Sequence, residues 1–346
     1  MYKTAIFADL HLQNNEPIGG VDQNGINLRT KDKISYLNTV IDYAVDNKLN
    51  SIINAGDLFD TPTPSNKLKT MVSKALQKAL QNNIKVYIIG GNHETTDNKY
   101  YNLMSESSYN DGLIFCKSAS VDTENGVILK IISSGQEESI TKMKPITPTI
   151  LIGHFQIEGA SFDNERLCTD FVKQSDLSSF LAVYCGHFHK RQKNSNWKYI
   201  GALCRNNFGE SKNESGFLQL SISDGKINET FINIEDKSFI YKKDIGVSTE
   251  EDVIEFIKQS IKENSICKFV FKIPEGMKLR RRYIKEISDS FKPFHCAIEY
   301  EYIKDKKIYS ISKELNYEQT ILEYSEYKKL TKKLIKVGID VSKEVF

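Results

Sequence analysis

Residues 51–61 read Ser51-Ile52-Ile53-Asn54-Ala55-Gly56-Asp57-Leu58-Phe59-Asp60-Thr61. A β-rich run ends abruptly in glycine and a polar cluster, as a buried strand does when it delivers side chains to one end of a sheet. Helical patterns lie on both sides. Lys31 to Asn47 carries Ile34, Leu37, Val40, Ile41 and Ala44, and Pro64 to Asn82 carries Leu68, Met71, Val72, Ala75, Leu76, Ala79 and Leu80, the spacing of a buried helical stripe. Beyond them, Lys3 to Ala8 and Lys85 to Ile89 repeat the strand type. The unit is β-α-β-α-β. Its right-handed crossovers build a layered α/β sheet that gathers ligands at the carboxyl ends of the strands.

From Leu113 the pattern turns strand-rich: Leu113 to Cys116, Val127 to Ile132, Thr149 to Gly153, Leu181 to Cys185, Lys198 to Ile200, Gly216 to Ile222 and Lys226 to Ile234. These runs predict a second sheet packed on the first. After Lys243 a helix (Thr249 to Asn264), a strand (Cys267 to Ile273), a helix (Leu279 to Phe291) and a strand (Ala297 to Ile303) make a small α/β domain. The tail carries Ile321, Leu322, Tyr324, Leu330, Leu334 and Ile335 among Lys328, Lys329, Lys332 and Lys333, an amphipathic helical pattern. The expected class is α/β: a two-sheet layered sandwich flanked by helices, with a small C-terminal α/β domain and a helical tail. The expected boundaries are 1–243, 244–312 and 313–346.

Composition bounds the chemistry. At 346 residues with 40% hydrophobic and 27% charged residues, the chain has material for a sizeable core and is neither disordered nor fibrous. Lys plus Arg is 47 against 45 Asp plus Glu, so the net charge of +2 supplies no global field to hold a polyanion. Local chemistry must do the gripping. Cys116, Cys168, Cys185, Cys204, Cys267 and Cys296 form no C-x-x-C pair, which argues against a disulfide framework or thiolate zinc site and for reduced, mostly buried thiols. No apolar run approaches the roughly 18 residues of a membrane span, and the first strand leaves no room for a signal peptide. The expected compartment is cytoplasmic, with no membrane partner.

Five of the six histidines follow strand-like runs, each in a short polar cluster: Asp9-Leu10-His11, Gly56-Asp57-Leu58-Phe59-Asp60, Gly90-Gly91-Asn92-His93-Glu94, Gly153-His154 and Gly186-His187-Phe188-His189. Asp-x-His continuing a strand would place both groups on one side, because residues i and i+2 point the same way. Glycines before the ligands allow close backbone approach to an ion or phosphate. Carboxylate, amide and imidazole donors without thiolate suit Mn, Fe, Zn or, less well, Mg. Taken singly, each fragment is plainly read as a polar turn or a surface histidine. Together, in one order and each after a strand, they point to a metal centre.

In these motifs the sequence resembles the calcineurin-like metallophosphoesterases, whose pattern is D-x-H, G-D, G-N-H, a lone H and G-H-x-H, matched over residues 9 to 189. Within that superfamily it looks most like the nuclease subunit of the SbcCD-type double-strand-break repair complex, including phage recombination subunits of T-even type. The Gly56 to Thr61 stretch, Tyr199-Ile200-Gly201 and the layout of the last hundred residues carry that likeness. The resemblance implies a metallophosphoesterase sandwich, a DNA-facing capping domain and an ATPase-docking tail. It assigns Asp9, His11, Asp57 and His189 to one ion and Asp57, Asn92, His154 and His187 to the other, with Asp57 bridging and His93 beside the ions. Two departures stand out. Glu94 replaces the family's usual Asp, and Gly-Asn-His-Glu is also the wording of protein Ser/Thr phosphatases; Asp60 stands where some members carry a phosphate-touching His, which makes it a candidate for phosphate positioning.

The implied activity is that of a Mn-dependent DNA nuclease using two Mn2+ or Mg2+ ions, exonucleolytic from 3' ends and endonucleolytic on single strands. Implied partners are DNA, an SbcC-type ABC ATPase and a second copy of the chain in a homodimer, in a cell or a phage-infected host. His93 is the candidate general acid, against the plainer role of orienting ligands. Arg280, Arg281 and Arg282 could track a DNA backbone, although short basic runs are commonly solvated helix faces. Trp197 could stack on a base or simply pack; His295 reads as an ordinary residue. The segment Leu12 to Thr30 reads as a long loop beside the first ligands, within reach of substrate. The rivals are a phosphatase or phosphodiesterase acting on small molecules or phosphoproteins, and a scaffold subunit with a decayed site.

Overall fold

The computed structural model describes residues 1–13, 15–96, 99–100, 112–115, 117–162, 166–169, 172–194 and 196–303. The amphipathic tail lies outside the described residues.

In chain order the elements are β1 (Tyr2–Phe7), α1 (Leu28–Asp46), β2 (Ser51–Ala55), α2 (Asn66–Gln81) and β3 (Lys85–Ile89). Then come β4 (Thr95–Thr96), β5 (Lys99–Tyr100), β6 (Leu113–Phe115), β7 (Ser118–Asp122), β8 (Ile128–Ile132) and β9 (Thr149–His154). A short α3 (Gln174–Leu177) precedes β10 (Ala182–Gly186), β11 (Gln192–Lys193), β12 (Trp197–Tyr199), β13 (Gly216–Ser223) and β14 (Lys226–Asn233). The C-terminal part has β15 (Phe239–Gly246), α4 (Glu250–Ser260), β16 (Ile266–Pro274), α5 (Arg281–Ser290) and β17 (His295–Ile303).

Among the described residues the strands form two six-stranded sheets, β14-β13-β1-β2-β3-β6 and β11-β12-β10-β9-β8-β7, a three-stranded sheet β15-β16-β17 and the small hairpin β4-β5. Alternation along each strand explains the layering. Ala5 and Phe7 of β1, Ile52 of β2 and Val86 and Ile88 of β3 face the stripes of α1 and α2. Ile6, Ile53, Tyr87 and Ile89 face the other way, against Ile150 and Ile152 of β9 and Tyr184 of β10. Leu151, Val183 and Cys185 then point outward under Phe155, Phe180 and Phe188. Burial on both faces is why these strands read as continuous apolar runs.

The two-sheet sandwich agrees with the expectation, but the sheet membership differs. The runs beginning at Leu113, Gly216 and Lys226, read as parts of the second sheet, form β6, β13 and β14 of the first: β6 extends it beside β3, and β13 pairs antiparallel with β1. Apolar runs report that a strand is buried, whereas its partner depends on contacts far away in sequence. β7 escaped prediction because its residues alternate between exposed and half-buried and carry little apolar signal. Residue 243 lies inside β15, which pairs parallel with β16. The sandwich and most of the small α/β part form one compact unit, Met1–Ile273 with Met277–Glu301.

Candidate dimetal centre

β1, β2 and β3 run parallel, as do β9 and β10, so five carboxyl ends meet at one edge of the sandwich. The loops leaving β1 and β2 are laced together: Asp9 N–H donates to the Gly56 carbonyl at 3.1 Å, and His11 and Leu12 N–H groups donate to Asp57 and Leu58 carbonyls at 2.9 Å. The extended geometry expected for Asp-x-His is not what aligns the pair. Asp9, His11, Asp57 and His187 have φ of 54°, 48°, 50° and 92°, left-handed backbone that costs a non-glycine residue about 1–3 kcal/mol. Each turns its side chain inward because the loop curls. The glycines serve by absence: a Cβ on Gly91 would lie 2.0 Å from Asp57 Oδ1, and one on Gly56 would lie 2.2 Å from His154 Nδ1.

Asp9, His11 and His189 converge with ligand atoms within 4.8 Å of one another, as do Asp9, Asp57 and His154. Asn92 Oδ1 lies 3.0 Å from His154 Nε2 and 2.8 Å from His187 Nδ1. Asp57 Oδ2 stands between the groups, 3.3 Å from His154 Nε2 and 3.7 Å from His11 Nε2. All seven residues expected as ligands therefore come together. His93 also joins, sharing a potential ligand group with His11 and Asp57, but its side chain is 44% exposed at the rim and its Nδ1 faces Asp60 at 3.1 Å.

Asp60 does not stand alone. The same oxygen receives His11 Nδ1 at 2.9 Å, so the carboxylate is engaged by two imidazoles. Two further supports escaped the sequence reading. Glu210, wholly buried in a 3-10 turn, accepts from His189 Nδ1 at 2.8 Å and from Asn206 N–H at 2.8 Å. The Gln156 amide meets His187 Nε2 at 2.7 Å. Gln156 follows ligand His154 by two residues and could have been found on that spacing; Glu210, twenty-one residues from His189, carries no local signal. Glu94 is turned inward, accepting from Phe59 N–H at 2.8 Å and Gly91 N–H at 2.9 Å, and burial beside Asp57 pushes its carboxyl up to about 8.

The donor set fits divalent cations on its own chemistry. His11, His154 and His189 each spend Nδ1–H on an acceptor, respectively Asp60, the Ala55 carbonyl at 2.9 Å and Glu210. Each Nε2 then carries a lone pair, yet those of His11 and His189 are 3.0 Å apart. Acceptors clustered this closely call for positive charge between them, a proton or a metal ion. Against burial, Asp57 and Asp9 hold the His154 imidazole up at about 9, and Glu210 with Asp9 does the same for His189, so the carboxylates favour positive charge at the centre of the cluster, carried by protons on these rings when no metal ion takes it. Burial, reinforced by His154, instead holds His187 down at about 3, a neutral ring suited to ligation. Burial raises Asp9, whereas neighbouring His154 overcomes burial to lower Asp57.

The remaining candidates lie elsewhere. Arg280 pairs with Glu250 at 2.7 Å, Arg282 with Glu286 at 3.0 Å, and the Arg281 guanidinium sits 5.1 Å over the Tyr300 ring. Trp197 is 3% exposed inside the outer cluster of the second sheet and packs on Tyr199, so of its two readings the structure bears out packing and leaves no open face for a base. His295 receives Gly19 N–H at 3.4 Å, and Phe294 lies against the same loop. That loop touches the site through Lys33, whose ammonium bonds the His11 carbonyl at 2.9 Å and Glu16 at 2.5 Å. No helix among the described residues is long and apolar enough to cross a membrane.

The family model of calcineurin-like phosphoesterases matches residues 2–191. Among curated proteins, the DNA double-strand break repair protein Mre11 of Sulfolobus acidocaldarius is 26% identical over 274 residues, covering 71% of this chain and 68% of the relative. Among solved structures, a dimetal phosphatase from Danio rerio aligns at 11% identity and TM-score 0.43 over 67% of this chain and 96% of its own. Purple acid phosphatase PPD1 from yellow lupin aligns at 13% identity and TM-score 0.43, over 67% of this chain and 51% of its own.

Proposed function

The chain belongs to the calcineurin-like phosphoesterases, and from that premise we propose that it is a Mn-dependent DNA nuclease subunit working with an SbcC-type ABC ATPase in recombination and break repair. One observation carries the reading beyond phosphoester hydrolysis: the likeness to a break-repair protein covers 71% of this chain and so runs past the phosphoesterase segment of 2–191. Convergence of all seven donors speaks against a decayed scaffold. The wording shared with Ser/Thr phosphatases carries little, because Glu94 bonds backbone groups of two loops and does not face substrate.

In this reading Asp9, His11, His189 and Asp57 would hold one ion, and Asp57, Asn92, His154 and His187 the other. A two-ion centre supplies hydroxide near neutral pH and neutralises charge on the phosphoryl oxygens. The chain's own residues do the rest. Asp60, Glu210 and the Ala55 carbonyl fix three imidazoles in the tautomer that presents Nε2, and Gln156 braces the fourth. His93, at the rim with Nδ1 on Asp60, would in this reading deliver a proton from Nε2 to the departing alkoxide. Asp60 thus acts through histidines, and direct phosphate contact falls to other groups. The activity would be exonucleolytic on duplex ends and endonucleolytic on single strands, in a homodimer within the cytoplasm of a cell or phage host.

The test is incubation of the purified chain with end-labelled duplex, single-stranded DNA and p-nitrophenyl phosphate esters, each with Mn, Mg or EDTA. Cleavage of DNA with Mn and none with EDTA is expected. Turnover of the small monoester with DNA left intact would replace this reading with that of a phosphatase.

A further inference from the structure

The small sheet β15-β16-β17 buries one face, where Cys267, Phe269 and Phe271 of β16 pack with Val253, Ile257 and Ile284 of α4 and α5. On the edge strand β17, Cys296, Ile298 and Tyr300 alternate onto the same face, and Tyr300 stacks on Phe271 with centroids 6.1 Å apart. The helices do not cover this last row. A cavity of about 480 Å³ remains, lined by Arg281 and Lys285 of α5 and by Cys296, Ile298, Glu299 and Tyr300. Cys296 is half-buried at its wall; behind it, on the neighbouring strand β16, Cys267 is fully buried in the apolar cluster against which Cys296 packs. Two thiols on neighbouring strands, one reachable and one hidden, therefore meet beneath a pair of cations.

We propose that Cys296 and Cys267 form a reversible dithiol site that reacts with small anionic disulfides of the glutathione type entering this cavity. The Cys296 thiolate attacks one sulfur of the disulfide, forming a mixed disulfide and expelling one thiolate, which takes up a proton. The Cys267 thiol, losing its proton, then attacks the Cys296 sulfur and expels the second small thiol. Two protein thiols are oxidised to one disulfide and one small disulfide is reduced to two thiols. Electrostatics divides the roles. The neighbouring Cys267, outweighing burial and aided by Lys285, holds the Cys296 thiol down at about 7, while Cys296 and burial push Cys267 up. A thiol near ambient pH is the better attacker, and a protonated neighbour is suited to resolve. Arg281 and Lys285 attract carboxylates of the incoming disulfide; Lys285 is shared with Asp289 at 2.5 Å. None of these groups takes part in the dimetal centre, so this inference stands apart from the proposed nuclease function.

The test treats the full chain, folded and near neutral pH, with glutathione disulfide, followed by acid quench and peptide mass spectrometry. Wild type should yield a Cys267–Cys296 cross-link that dithiothreitol reverses, Cys267→Ser should trap glutathione on Cys296, and Cys296→Ser should yield neither product. Arg281→Gln should slow the reaction with glutathione disulfide about threefold, while leaving the rate with neutral 2-hydroxyethyl disulfide unchanged. Absence of the cross-link in folded wild-type protein would overturn the proposal whatever the variants do. So would glutathione settling on other cysteines in Cys267→Ser, or equal slowing with both disulfides.

Discussion

A single oxygen, Asp57 Oδ2, faces histidines of both ligand groups, 3.3 Å from His154 Nε2 and 3.7 Å from His11 Nε2. Asp57→Asn removes the negative charge at that point and should remove both ions, seen as loss of bound metal by mass spectrometry together with loss of metal-dependent cleavage. Retention of wild-type metal in this variant would refute the bridging role. His93 differs in kind, because it stands at the rim with nearly half of its side chain exposed. His93→Ala should keep the metal content and DNA affinity while the single-turnover rate falls by about 10²- to 10⁴-fold, as loss of a general acid does. A parallel fall in metal occupancy would make His93 a ligand or a brace. The D-x-H, G-N-H and G-H-x-H spacings made these ligand types legible. Their left-handed backbone was not, since nothing in the residue names requires Asp9, His11 or His187 to adopt it.

Among the elements, α1 and the 3-10 turn at Phe208–Glu210 do most to hold the site's edges. Asn27 caps α1 by accepting from Arg29 N–H at 2.7 Å and Thr30 N–H at 3.3 Å, and its own amide donates to the Glu16 carbonyl at 3.1 Å. The helix thus begins three residues before the periodicity suggested, because capping rather than apolar spacing sets its start. Asn27→Ala should lower stability by about 1–2 kcal/mol, read from thermal or urea unfolding, and Asn27→Asp should recover most of it by restoring the cap. The turn at Phe208–Glu210 presents Glu210 to His189 Nδ1. Glu210→Gln should weaken metal binding about 10- to 100-fold in a metal titration while the circular dichroism spectrum stays unchanged. Full metal affinity in that variant would show that His189 orients itself.

At the scale of the whole molecule, the small α/β part shares one compact unit with the sandwich, as Met1–Ile273 with Met277–Glu301. Phe294 and His295 lie against the loop that leads through Glu16 and Lys33 to the His11 carbonyl. Residues 313–346 lie outside the described residues, and their amphipathic pattern is what suggests docking on the ATPase. Truncation after Ser312 leaves the compact unit whole. It should preserve Mn-dependent cleavage of short single strands and abolish co-purification with the ATPase. If the truncated chain loses activity or thermal stability while still binding the ATPase, the tail belongs to the core and the partner assignment fails.

The sequence by itself determined the strand and helix order of the first ninety residues, the two-sheet class and the set of groups able to bind metal. Each of these rests on local periodicity or on short spacings. Only the tertiary structure decided that β6, β13 and β14 complete the first sheet, because strand partners are chosen by contacts across the whole chain. It likewise decided that Glu210 and Asp60 brace the imidazoles, and that Cys267 and Cys296 lie on neighbouring strands beside Arg281 and Lys285. Side-chain hydrogen bonds and cavities arise where distant segments close on one another, and no spacing along a chain encodes that closure.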